Sequence, residues 1–148
     1  QVATYDLQPE MSETEVTNKF VTAISAGYDL IITNYANPDM VGHTGDLSAT
    51  ITACEAVDKG LSRVIEAVKK SGGAMIIIAD HGNCEMMIDP KTGGAHTAHT
   101  TNLVPIIAVG TTPYNTIASG CLADVAPTLL QLMNLPSPPE MTGKILLT

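Results

Sequence analysis

Met75-Ile76-Ile77-Ile78-Ala79-Asp80-His81-Gly82 is the stretch on which the reading of the fold turns. The run Met75–Ala79 is continuously apolar and rich in β-branched residues, the pattern of a strand covered on both faces. Polarity then switches within one residue, and Gly82 lets the backbone turn tightly. An aspartate and a histidine placed directly after such a strand are desolvated unless a cation or a water-filled cleft receives them. The ordinary alternative is that Asp80 caps a following turn and His81 is exposed.

Working outward, the preceding segment from Asp46 to Gly72-Gly73 predicts a long helix. Asp46 is a good N-cap, and Leu47, Ile51, Cys54, Val57, Leu61, Val64, Ile65 and Val68 trace one stripe. Before it, Leu30–Tyr35 reads as a short buried strand that Asn37-Pro38 ends. Ser12-Glu13-Thr14-Glu15 has capping-box spacing ahead of a helix over about 13–26, which Gly27 stops. Val2-Ala3-Thr4-Tyr5 reads as a further short strand. Downstream, Val104–Val109 predicts a strand, and a helix is expected over about Leu122–Met133, with Pro127 acceptable only in its first turn. Strands alternating with helices predict an α/β layer with a mostly parallel sheet, as one portion of a domain over 1–148 without internal boundary. No internal repeat or low-complexity linker interrupts it.

At 148 residues and 45% hydrophobic, the chain is long enough to bury a core, which argues against disorder. Fifteen acidic against seven basic side chains give a formal charge of −8, the wrong sign for wrapping a phosphate backbone, so no nucleic-acid partner is expected. The longest apolar run, Ala74–Ala79, is far below the ~20 residues of a membrane-spanning helix. Cys54, Cys84 and Cys121 are odd in number, far apart and in no C-x-x-C pair, which suggests neither a disulfide framework nor a thiolate zinc site. The expected compartment is therefore the reducing cytoplasm. No signal-peptide pattern follows Gln1, and the start reads as cut from a longer chain.

All four histidines, His43, His81, His96 and His99, fall in loops bordering predicted strands. In open α/β sheets functional groups gather beyond the carboxyl ends of strands, where Asp39-x-x-x-His43 follows one strand and Asp80-His81 another. Asp39 and His43 face one point if the chain between them forms a helical turn. Mixed oxygen and nitrogen donors suit manganese or zinc. Taken alone, Asp39 is equally a cap and His43 a solvated loop residue, and His96 and His99 sit in a Thr-rich loop of ordinary appearance. The connection from Asp80 to Val104, about two dozen residues, is too long to be idle. If it returns to the rim where the strands end, the Val104–Val109 strand starts there and runs antiparallel to them. Missing are a Gly-rich phosphate loop, a clamp of basic residues near these motifs, and a serine or cysteine nucleophile with an adjacent base.

Tyr5–Ser12, Asn37-Pro38-Asp39-Met40-Val41-Gly42-His43-Thr44-Gly45, Ala79–Asn83, His96-Thr97-Ala98-His99-Thr100-Thr101-Asn102 and Glu140–Lys144 together resemble the C-terminal part of the cofactor-independent phosphoglycerate mutases. The resemblance spans nearly the whole chain, with the motifs in order and at matching intervals. It implies an alkaline phosphatase-like α/β fold with a mostly parallel sheet and helices on both faces, here incomplete. It implies interconversion of 3-phosphoglycerate and 2-phosphoglycerate, in glycolysis and gluconeogenesis, through a phosphoserine intermediate, with two Mn2+ ions or other divalent ions such as Zn2+. Asp39, His43 and His99 then resemble the ligands of one metal, Asp80 and His81 ligands of the other, and His96 is set aside. The nucleophilic serine, a further aspartate and the transferase domain with its basic substrate clamp belong to the missing N-terminal segment, so this chain alone is expected to be inactive. The full-length enzyme is expected to be a monomer. Cys84 stands where that pattern favours a small residue such as alanine, and reads as a packing substitution rather than a nucleophile. The rival readings are a metal-dependent phosphatase or sulfatase of the same superfamily, and a noncatalytic metal-binding domain.

Overall fold

The computed structural model describes residues 2–110 and 114–148. In chain order it contains a 3-10 turn at Tyr5–Leu7, α1 (Glu13–Ser25), α2 (Asn37–Gly42), α3 (Leu47–Ser71), β1 (Met75–Ile78), β2 (Ile106–Val109), a second 3-10 turn at Leu122–Asp124, and α4 (Val125–Leu132). Helices and strands together give an α/β chain. It divides into two compact units interleaved in sequence, Gln1–Ala67 with His81–Leu103, and Val68–Asp80 with Val104–Thr148. Among the described residues no helix is long and apolar enough to cross a membrane.

In the first unit, α1 begins where the sequence predicts, but not by the predicted device. The Ser12 side chain makes no capping hydrogen bond, and Glu15 pairs instead with Lys19 at 2.8 Å on the exposed face. Glu13 is turned inward, accepting from Thr17 Oγ1 at 2.6 Å, and Thr17 Oγ1 also meets the Tyr35 hydroxyl at 2.7 Å. Gly60 of α3 makes room for this buried polar cluster: a Cβ there would strike the Glu13 carboxylate and the Thr17 hydroxyl. The cap of α3 is as expected, with the Ala49 N–H donating to Asp46 Oδ1 at 2.8 Å. Its buried face matches the predicted stripe only towards the C-terminal end, where Val64 and Val68 are buried. Earlier, Thr50, Ala53, Ala56 and Gly60 are buried instead, whereas Leu47, Ile51 and Cys54 are exposed. Small residues at three- and four-residue spacing admit close neighbours, and that decides the packed face over side-chain hydrophobicity.

Neither upstream strand forms. Residues 2–4 lead into the Tyr5–Leu7 turn, and 30–36 are without regular structure. A strand exists only where a neighbour takes its N–H and C=O groups, and among the described residues nothing ladders with Leu30–Tyr35. Its Ile32 side chain is 78% exposed. The mostly parallel sheet is likewise not what the described residues build, since their one ladder is β1 against β2, antiparallel.

That orientation is the one predicted from the returning loop. In the second unit Met75 lies opposite Val109 and Ile78 opposite Ile106. β2 starts later than expected because Pro105 has no N–H to give to a ladder. Ile78 and Ile107 are 40% and 50% exposed, so this pair is not covered on both faces. Gly110 closes the pair with φ +68°, and a Cβ there would strike the Gly73 carbonyl. Pro127 falls in the first turn of α4, as its presence there requires, and is fully buried. Asn134, with φ 54°, and the prolines beyond it end the helix.

The second unit is tied together by Asp124, a buried carboxylate that accepts from the Lys144 N–H at 2.7 Å and the Cys121 N–H at 2.8 Å. The Lys144 bond, then the Cys121 bond, hold its carboxyl below the ordinary value despite burial. A carboxyl depressed in the folded state stabilises it above the unfolded value, about pH 3.9. That contribution is lost as pH falls below it towards the folded value, because the unfolded chain binds the proton first. Asp124→Asn is therefore expected to flatten the acid side of a plot of urea midpoint against pH. An unchanged acid slope would exclude Asp124 as its source.

Candidate metal centre

Asn37-Pro38 starts α2 with proline at the helix entrance, where its missing N–H costs nothing. The Asn37 amide anchors the helix by donating to the Pro9 and Glu10 carbonyls at 2.9 and 2.7 Å. The turn so fixed sets Asp39 and His43 on one side. Asp39 is not a cap, since Ala36 holds that position. The long connection after His81 folds back on itself. Its tip is closed by Asp89, whose N–H donates to the Gly94 carbonyl at 2.9 Å, with bridges Ile88–Ala95 and Gly82–Thr100 along its length. Glu85 clamps the two limbs, accepting from the Asn83 N–H at 2.6 Å, from Asn102 Nδ2 at 2.8 Å and from the Thr100 hydroxyl. His99 is thereby carried back to α2.

The outcome is a triangle of donor atoms. His99 Nε2 lies 3.0 Å and His43 Nε2 3.2 Å from Asp39 Oδ1, and the two imidazole nitrogens are 3.1 Å apart. Donors about 2.1 Å from an ion, at about 90–109° to one another, are about 3.0–3.4 Å apart, so the triangle has the edge lengths of a coordination shell. All three side chains are partly exposed. His43 Nδ1 sits 2.7 Å from the Thr97 carbonyl, which can only accept, so Nδ1 carries the proton. In neutral His43 the Nε2 atom then presents a lone pair, the arrangement in which a carbonyl orients a metal-binding imidazole. Gly45, with φ +76°, permits that approach, since Ala95 and Thr97 lie about 3 Å from where its Cβ would stand.

Asn83 was not singled out in the sequence, although it directly follows Asp80-His81-Gly82. It is buried, and its Nδ2 donates to Asp39 Oδ1 at 2.7 Å and to the Asp39 carbonyl at 3.2 Å. Gly42 leaves the space, because a Cβ there would be 2.6 Å from Asn83 Oδ1. Burial disfavours the Asp39 carboxylate. The Asn83 donor and the fields of His43, His99 and His81 outweigh it and hold the carboxyl below its ordinary value.

Of the five predicted ligands, Asp39, His43 and His99 are brought together. His81 stacks on His99, with ring centroids 3.7 Å apart and planes at 20°. Asp80, the last residue of the other unit's first segment, is exposed, so the desolvation expected of it does not arise. His96 is outside the triangle. Its Nδ1 is buried without a hydrogen-bond partner among the described residues. The carboxylate and two imidazoles fit a divalent ion with mixed oxygen and nitrogen preference.

The chain is 70% identical over 148 residues to a 2,3-bisphosphoglycerate-independent phosphoglycerate mutase of Ruegeria pomeroyi, and 70% identical over 147 residues to one of Agrobacterium fabrum. The matches take in 100% and 99% of the chain but 29% of each relative, so the chain spans under a third of the length of these curated relatives. A crystal structure of Leishmania mexicana phosphoglycerate mutase at low cobalt concentration superposes on all of the chain and on 30% of its own, with a TM-score of 0.90 and 32% identity. Residues 1–137 match the Metalloenzyme superfamily. With that match over most of its length, and three ligand-type side chains converging within it, the chain belongs to the Metalloenzyme superfamily.

Proposed function

We propose that this chain supplies much of the metal-binding portion of a phosphoglycerate mutase that interconverts 3-phosphoglycerate and 2-phosphoglycerate through a phosphoserine. The observation that carries the reading is the Asp39–His43–His99 triangle, set in a sequence similar along its whole length to named mutases. Asp39, His43 and His99 are assigned to one Mn2+, and Asp80 and His81 to a second. When bound, such ions offset charge on phosphoryl oxygens and lower the pKa of a serine hydroxyl.

The chain's own residues fix where that charge is delivered. Asn83 fixes the Asp39 carboxylate, Thr97 fixes the tautomer of His43, and His81 packs flat on His99. The serine, the substrate clamp and the rest of an alkaline phosphatase-like, mostly parallel sheet are assigned to the remainder of the protein. Leu30–Tyr35 is proposed as one of that sheet's strands. Residues 1–148 are taken as one portion of that domain, in a cytoplasmic, monomeric enzyme.

Product analysis of the full-length protein tests the assignment. Given 3-phosphoglycerate and Mn2+, it is expected to yield 2-phosphoglycerate without free phosphate, whereas the 148-residue chain alone yields no turnover. Release of phosphate would make the protein a hydrolase, and turnover by the chain alone would remove the need for an outside nucleophile.

A further inference from the structure

Cys54 and Cys84, thirty residues apart in sequence, meet in the first unit with their sulfurs 3.8 Å apart. Neither C-x-x-C spacing nor composition announces the pair, and the reading of Cys84 as simple packing gives way to it. Cys54 is exposed on α3 and Cys84 is partly exposed in the turn after Asn83, so a small oxidant reaches both. Cys121 belongs to the other unit.

We propose that Cys54 and Cys84 form a peroxide-oxidisable dithiol site that closes to a disulfide linking α3 to the 81–85 turn. The sulfurs need to approach by about 1.8 Å to reach bonding distance. The chemistry of the two sulfurs is unequal in a way that fits. The hydrogen bond from the Cys54 thiol holds Cys84 down, to about 7, against burial and the nearby carboxylates of Glu85 and Asp39. The same bond and burial push Cys54 up. Cys84 is thus the thiolate available at neutral pH, and the thiolate is the nucleophile.

The Cys84 sulfur attacks one oxygen of hydrogen peroxide, the O–O bond breaks, and hydroxide leaves and is protonated to water. The resulting Cys84 sulfenic acid is attacked by the Cys54 sulfur. The S–O bond breaks, the Cys54 proton goes to the departing hydroxyl, and a second water forms. The two thiols together lose two electrons and two protons, and one peroxide is reduced to two waters. The new bond would lie one residue from Asn83, the amide that holds Asp39.

Trypsin separates the three cysteines, leaving Cys54 on peptide 20–59, Cys84 on 71–91 and Cys121 on 92–144. The full-length protein, reduced and then treated with hydrogen peroxide, is expected to give a cross-linked 20–59/71–91 species about 2 Da lighter than its parts. In Cys54→Ser the intermediate has no resolving thiol, and dimedone is expected to label 71–91. Linkage through 92–144, free thiols on both peptides, over-oxidation of Cys84 without linkage, or dimedone labelling of 92–144 in place of 71–91 would each overturn the proposal.

Discussion

Asp39→Asn is expected to weaken Mn2+ binding by well over a hundredfold. Losing a partner that only orients a ligand costs about 10–100-fold in metal affinity, and Asp39 is proposed as a ligand rather than as an orienter. Its Oδ1 lies 3.0 Å from His99 Nε2, 3.2 Å from His43 Nε2 and 2.7 Å from Asn83 Nδ2, so this one oxygen makes two of the triangle's three edges and takes the Asn83 bond as well. An asparagine keeps the shape but removes the negative charge, and it can turn an NH2 group towards two nitrogens. Asn83→Ala, which leaves the carboxylate in place without its buried donor, is the matched comparison and is expected to fall in the 10–100-fold range. Calorimetric titration of the metal-free full-length protein reads both. Equal affinity in Asp39→Asn and the parent would remove Asp39 from the ligand set.

Gly110→Ala is expected to destabilise the second unit by about 2–5 kcal/mol. The position has φ +68°, which costs an L-residue about 1–2 kcal/mol. Its new Cβ would also be driven into the Gly73 carbonyl, and overpacking of that kind costs about 1–3 kcal/mol. The carbonyl cannot yield cheaply, because Gly73 leads into β1 and Met75 is paired with Val109. Gly72→Ala is the control. It shares the left-handed backbone, with φ +71°, but none of the described residues lies within 4 Å of its Cβ, so only the conformational part should appear. Urea midpoints of the two variants, measured side by side, separate the terms. Equal midpoints would show that the Gly73 contact carries no cost.

Helices α1, α3 and α4 were legible because their signals are local, whereas α2 forms at Asn37–Gly42, where the sequence predicts that a loop begins. Asp46 caps α3 as its position predicts, and Gly27 and Pro127 mark a helix end and a helix start through their own backbone chemistry. The antiparallel β2 was legible at one remove, from the need of the histidine loop to return. The buried face of α3 was not, because Ala53, Ala56 and Gly60 are chosen for closeness of approach, which hydrophobic periodicity does not measure. The Leu30–Tyr35 strand failed because a sheet is a property of pairs and no propensity supplies the partner. At the candidate metal centre the residue types and spacing alone leave Asp39 and His43 open between ligands and ordinary loop residues, and only the family resemblance singles out His99 over His96. Asn83 and the Cys54–Cys84 meeting escaped, since each depends on contacts across long separations that no spacing rule encodes.

His99 follows Asp39 by sixty residues, and their 3.0 Å contact cannot exist until both have been made. On a ribosome adding about 5–20 residues each second, the acid and its α2 neighbour His43 wait roughly 3–12 s for the second imidazole. During synthesis the chain therefore carries two of the three donor side chains before the third, and retention of a cation by the proposed triad has to follow the emergence of the folded-back loop.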